Sequence, residues 1–79
     1  MNLVDTTQMN AKQRHALIVD LLRTRKLEVM DAIQASRWLN ERYGLRVDWH
    51  DCSEALDFLH RTGDAILARP GGMVVYRIK

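Results

Sequence analysis

The residues nearest to a metal-binding pattern are His50, Cys52 and His60 in the second half of the chain. Structural zinc sites draw their ligands from paired Cys and His spacings, and no such pairs occur here. On a helix, His50 and Cys52 point to different faces, so they cannot share one ion. We therefore expect no metal and no other cofactor. Cys52 is interpreted as a small buried apolar residue and His60 as a surface histidine.

Glu54 and Asp57 are the residues nearest to a catalytic pattern, since paired carboxylates can serve as acid and base. The chain is too short to build a deep cleft, and it carries no nucleophile with a base at a known spacing. A glycine-rich phosphate loop is also absent from the sequence. We therefore do not expect an enzyme. The simpler interpretation is a solvated helix face on which Asp57 and Arg61 form an ion pair.

Length and composition predict one small domain spanning residues 1–79. The 79 residues are 47% hydrophobic and 28% charged, with a formal net charge of +2. Such a short chain builds only a marginal core. One cysteine excludes an internal disulfide framework and fits a reducing compartment. No apolar run reaches membrane-spanning length and no secretion signal is visible, so we expect a cytoplasmic protein without a membrane partner.

Three segments carry apolar residues at helical spacing, and residues 1–7 before them are interpreted as a polar, flexible start. The first predicted helix spans residues 11–25, with Asn10 or Thr7 as its cap. The second spans residues 30–43 and ends before Gly44, where a left-handed cap is expected. Its predicted inward residues are Ala32, Ile33, Ser36, Leu39 and Tyr43. Val19 and Ala16 lie off the main apolar stripe of the first helix, which is a hint of packing against a second copy.

The third predicted helix spans residues 49–62, with Asp48 as its N-cap and Gly63 ending it. Its predicted inward residues are Cys52, Ala55, Leu56 and Leu59. Two strands follow within residues 64–78, joined through Pro70-Gly71, which suits a type II turn. Leu27–Val29 alternates in polarity and predicts a very short strand pairing with this hairpin.

A cap, a small-x-x-Ala-Leu-x-x-Leu helix, a glycine and a glycine-rich hairpin stand in order between Asp48 and Tyr76. This stretch, behind two further helices, resembles the winged helix-turn-helix family of small bacterial and phage DNA-binding regulators. The resemblance covers roughly residues 11–76. It implies an α+β fold with three helices and a C-terminal β-hairpin wing.

The resemblance also implies a function, namely transcription regulation by binding double-stranded DNA. The third helix would enter the major groove, and its outward side chains would meet base edges. The wing and other basic residues would hold phosphates. A homodimer is expected, because one module of this size buries little DNA surface. The implied base contacts are His50, Ser53, Glu54 and Asp57, and the implied phosphate contacts are Lys26, Arg37, Arg46, Arg61, Arg69 and Arg77.

The third helix departs from the family pattern because it presents Glu54 and Asp57 where bases are usual. One carboxylate can accept a hydrogen bond from cytosine, but two of them oppose binding to a polyanion. The alternative is a protein-interaction module that uses this acidic helix or Trp38 and Arg42. Trp38 is either an interface anchor or a peripheral core residue. Trp49 is interpreted first as peripheral core and second as a DNA contact.

Overall fold

The computed structural model describes residues 9–79 and gives an α+β chain of three helices and a three-stranded antiparallel sheet. This confirms the predicted class and is compatible with a winged-helix arrangement. The prediction of a flexible start at residues 1–7 falls outside the described residues. The α-helices and strands are, in order, α1 (Ala11–Arg23), β1 (Val29–Met30), α2 (Ala32–Tyr43), α3 (Trp49–Arg61), β2 (Ala65–Ala68) and β3 (Val75–Ile78), with a short 3₁₀ turn at Pro70–Gly72 between β2 and β3.

Each helix begins at a capping box, in which the cap side chain accepts a backbone hydrogen bond three residues on. Asn10 caps α1 as predicted, and Asp48 caps α3 as predicted. Asp31 caps α2, because its Oδ1 accepts from the Gln34 backbone N–H at 2.8 Å. The predicted start of α2 at Met30 is therefore wrong. The cap shifts the helix to Ala32 and leaves Met30 in β1.

The helix ends follow local hydrogen bonds. The first helix ends at Arg23, two residues earlier than predicted, where the Thr24 hydroxyl donates to the Leu21 carbonyl at 2.6 Å. In α2 the chain leaves through Gly44, whose φ of 68° is left-handed as predicted. The third helix ends at Arg61, one residue short of the predicted end. Gly63, with a φ of 84°, then turns the chain toward β2.

The sheet has the strand order β1-β3-β2, so β3 lies in the centre. The two hairpin strands have four residues each and cover less of residues 64–78 than predicted. The short first strand lies at Val29–Met30 instead of Leu27–Val29, because Leu27 adopts a positive φ of 70°. The Leu27 N–H still donates to the Ile78 carbonyl at 2.6 Å. At the hairpin tip Gly71 has the positive φ that a type II turn requires at its third position.

Helix α3 packs against α1, α2 and the sheet, so it lies at the centre of the core. All four inward residues predicted for α3 are buried, and so is Val19, which the sequence had placed off the core stripe. The inward stripe of α2 contains Ala35 and Leu39, and Ile33 is 59% exposed. The prediction that Ile33 faces inward is wrong. Ile33 stands two positions before the buried Ala35, and on a helix such a residue lies on nearly the opposite side.

Candidate functional site

An apolar groove of about 270 Å³ opens between the first turn of α2, the first half of α3 and the hairpin. The capping boxes set the first turns of α2 and α3, and side chains from these turns line the groove together with side chains of the hairpin. Tyr76, buried in β3, lines the groove from the sheet. The lining residues are Asp31, Ala32, Ile33, Trp49, Ser53, Met73, Val74 and Tyr76.

The groove concentrates the exposed large apolar side chains of the domain. Among residues 9–79, four of the eight such side chains line it. Trp49 is 58% exposed and Met73 is 59% exposed. The interpretation of Trp49 as peripheral core is therefore wrong. Trp49 is the first residue of α3 and lies on the flank of its core stripe, where it is not among the residues packed against the core. Contiguous apolar surface of this kind marks interaction sites on soluble proteins.

Beside the groove, the outward face of α3 is charged but internally paired. His50 Nε2 lies 3.6 Å from Glu54 Oε1, and Arg61 Nη2 lies 2.6 Å from Asp57 Oδ2. The second pair is the ion pair predicted from the sequence. Arg61, predicted to hold phosphate, is thus already held by a carboxylate of its own helix.

Carboxylates also occupy the positive N-terminal ends of α2 and α3. Asp31 and Asp48 accept hydrogen bonds from the free backbone N–H groups there. The hydrogen bond from the Asp51 backbone lowers the pKa of Asp48 most strongly, so this cap is anionic at neutral pH. Helix N-termini are common phosphate sites because of these same N–H groups. In this domain the two ends nearest the groove already hold anions.

The residues predicted to hold phosphate lie on several sides of the domain. Arg77 is on the outer face of the sheet, in register with Val29 and Ile66. Lys26 lies in the turn between α1 and β1, on the side of Asp64. Arg69 is exposed at the hairpin tip. Arg37 and Arg46 are exposed on α2 and in the segment before α3. These cations therefore come from four separate parts of the chain: the turn after α1, helix α2, the segment before α3 and the hairpin.

Asp57 and Arg69 both lie near enough to Tyr76 to affect its pKa. Burial raises the pKa of Tyr76 most, Asp57 raises it further, and Arg69 opposes both. The phenol stays protonated at neutral pH and remains able to donate a hydrogen bond. Ser53, predicted to contact bases, lines the groove instead of standing at the centre of the outward face.

Trp38 lies on another side of the domain and packs against the core. The Arg25 guanidinium carbon stands 4.5 Å from the centre of the Trp38 ring. The Tyr43 ring is nearly perpendicular to the Trp38 ring, with the two ring centres 5.4 Å apart. Arg42 in turn stacks on Tyr43 at 5.6 Å. These contacts match the interpretation of Trp38 as a peripheral core residue.

The outer face of the sheet is a second exposed apolar surface. Val29 and Ile66 flank Arg77 across the three strands, and Leu27 beside them is 76% exposed. This surface has a cation at its centre, whereas the groove is bordered by acids. The two apolar surfaces therefore favour partners of opposite charge.

Cys52 lies at the centre of the core, while His50 is on the exposed face of the same helix. Burial raises the pKa of Cys52 to about 12, and Asp51 and Asp48 add to this, so the thiol is unreactive. Within residues 9–79 no three metal-ligating side chains converge. Across that same part of the chain, no helix combines the length and apolar character needed to cross a bilayer.

Comparisons with protein-family models, with curated proteins and with solved structures found no match. Sequence inspection missed Ile33, Met73 and Val74 as site residues because each was assigned to a helix or strand interior. One signal was present: Met73-Val74 follows two glycines, where apolar side chains at a turn are unusual.

Proposed function

We propose that this chain is a winged-helix domain that binds another protein through the groove between α2, α3 and the hairpin. The hairpin is the wing of that fold, and the strand order β1-β3-β2 behind three helices supports the assignment. One observation carries the proposed function: Ile33, Trp49 and Met73, each more than half exposed, line a single concave surface.

The composition of the groove is typical of a protein interface. Trp and Met are enriched at interface centres, and a Trp beside a pocket is a frequent hot spot. A groove bordered by hydrogen-bonding groups also fixes the orientation of a bound segment. Ser53 and the Asp31 carboxylate supply such groups at its edge. An apolar side chain of the partner would be buried against Trp49.

The charges beside the groove favour a cationic partner segment. Asp31 lines the groove, and the half-exposed Asp57 follows one helical turn after the groove residue Ser53. Glu54 and the two capping carboxylates at the start of α3 extend the acidic surface along the helix. Complementary charges steer association and exclude wrong partners. We therefore assign the groove to an apolar segment flanked by Lys or Arg.

Photo-crosslinking tests this assignment in the cells that make the protein. A benzoylphenylalanine placed at Ile33 should form an adduct with one protein, and Trp49→Ser should abolish that adduct. The same crosslinker at Lys12, exposed on α1, is the matched control and should not form it. An adduct to DNA from position 33, or an equal protein adduct from position 12, would contradict the proposal.

Duplex DNA binding with transcription regulation is the second candidate, and the exposed Arg69 at the wing tip favours it. Under this alternative, a homodimer would present α3 to the major groove and Arg69 to phosphate. Arg69→Ala should then weaken binding to every sequence, while Arg77→Ala on the outer sheet face should not. Changes at His50 or Ser53 should alter sequence preference. Fluorescence anisotropy of a labelled duplex at low salt measures both effects, and an unchanged signal would eliminate this candidate.

A further inference from the structure

An open backbone position lies at Val74, one residue before the central strand β3, where the chain borders the groove. On its β1 side, the Ile78 N–H donates to the Glu28 carbonyl, and Tyr76 pairs with Met30. In an antiparallel ladder every second residue bonds to the same neighbour, so Val74 is next in this series. The residue in register with Val74 would be Ala32, which has already turned into α2.

The backbone N–H and carbonyl of Val74 find no partner elsewhere in the described chain either. Its neighbour Val75 is the residue that pairs with Ala68 in β2, and the Met73 N–H donates to the Pro70 carbonyl at 3.1 Å. Within residues 9–79 the Val74 N–H and carbonyl have no hydrogen-bond partner. Unpaired strand backbone of this kind accepts an added strand from another chain.

We propose that the partner enters the groove as an extended segment that continues the sheet beyond the end of β1. This inference rests on the proposed function and specifies how the groove is used. One residue of the segment pairs with Val74 through two backbone hydrogen bonds. Because paired residues on antiparallel strands point to the same face, its side chain enters the groove toward Trp49.

The dimensions of the groove favour a strand over a helix. A helix with its side chains is about 10–12 Å wide and anchors through several residues on successive turns. The groove holds about 270 Å³, which suits one or two side chains. A helix would also leave the Val74 backbone groups buried without partners, which is costly. Because Asp31 lines the groove and Asp57 lies one turn beyond it on α3, we expect Lys or Arg on either side of the anchoring residue.

Two synthetic peptides of identical composition test the binding mode on the full chain. One alternates Lys with Val or Ile and is extended; the other orders the same residues with helical spacing. In ¹⁵N spectra the extended peptide should shift the Val74 amide and slow its hydrogen exchange at least tenfold. Val74→Pro, which removes the donor, should weaken binding at least fivefold. Ile66→Val, on the outer face of the sheet and away from the groove, is the control and should bind normally.

An extended peptide N-methylated at every second residue serves as a further test, should Val74→Pro disturb the wing. When the methylated residues are those whose backbone N–H groups face Val74, the protection of the Val74 amide against hydrogen exchange should be lost. If the helical peptide binds as tightly and Val74 stays unprotected, strand addition is wrong while the groove remains a binding site. If neither peptide shifts Ile33 or Trp49, the proposed function fails as well. Shifts that depend on protein concentration without peptide would assign the groove to a second copy and overturn this inference.

Discussion

The two faces of α3 differ in what they contribute to the molecule. The inward face is fully enclosed and joins α1, α2 and the sheet into one core. On the outward face, Arg61 is held by Asp57 one turn away, and Glu54 lies 3.6 Å from His50. Between the two faces, Trp49 and Ser53 open into the groove. Helix α3 thus stabilises the fold with one face and presents an apolar flank, rather than its charged centre, to the groove.

The largest expected effect is on the inward face. Leu56→Ala removes a fully buried side chain, and such truncations lower the free energy of unfolding by about 2–5 kcal/mol. Urea denaturation followed by circular dichroism measures it. A small domain has little more stability than this to lose, so the variant should be largely unfolded at 37 °C. Glu54→Gln on the outward face is the control and should stay within about 0.5 kcal/mol. Equal losses for both variants would contradict the division of α3.

The next effect separates the two tryptophans. Trp49→Ser should weaken binding of the extended peptide by about tenfold or more, as expected for a hot-spot side chain. Its stability should change little, because the indole is already 58% exposed. Trp38→Phe should show the opposite pattern, with lower stability and unchanged binding. Isothermal titration calorimetry with parallel denaturation distinguishes the patterns, and a loss of stability for Trp49→Ser without a loss of binding would refute the groove assignment.

A smaller effect is expected for the acidic border. Asp57→Asn removes one anion and releases Arg61, so a cationic segment should bind more weakly. Exposed charge pairs contribute about 0.2–1 kcal/mol, which corresponds to a loss of up to about fivefold. Added salt should reduce the difference between variant and parent. Glu28→Gln, an exposed acid in the segment before β1, should leave peptide affinity unchanged. Tighter binding of the peptide to Asp57→Asn would contradict the charge assignment.

The smallest effect concerns pH at the end of α3. The Thr62 hydroxyl, which donates to Asp64 Oδ2 at 2.7 Å, lowers the pKa of Asp64 most, and Arg23 lowers it further. The carboxylate therefore stabilises the fold above its ordinary pKa of about 3.9. That contribution is lost as the pH falls through the lower folded value. Thr62→Val should reduce stability at pH 6 and have less effect at pH 2. Denaturation midpoints at the two pH values check this, and an equal reduction at both would contradict it.

The sequence predicted those parts of the fold that depend on local chemistry. Asp48 was identifiable as a cap because its carboxylate precedes an apolar helix, and the core stripe of α3 followed from helical spacing alone. The positive φ at Gly44 and Gly71 followed from residue type. These features need no knowledge of distant contacts, so they were assigned correctly.

The site was less predictable because it depends on how three elements meet. Ile33 was assigned to the core stripe of α2, whereas the helix packs through the face that carries Ala35 and Leu39. Trp49 was assigned to the peripheral core at the start of α3, whereas the packing of α3 against α1, α2 and the sheet leaves it 58% exposed. Val74 has an open backbone because β1 stops after two residues, which no local pattern indicates.

The most direct test of the central claim reads the two indole N–H signals in one spectrum. Trp49 lies in the groove and Trp38 packs against Arg25 and Tyr43, so Trp38 is the internal control. The protein is titrated in parallel with the extended cationic peptide and with a duplex DNA at low salt. We predict that the peptide shifts the Trp49 indole alone and that the duplex shifts neither. A Trp49 shift with the duplex and none with the peptide would contradict the account.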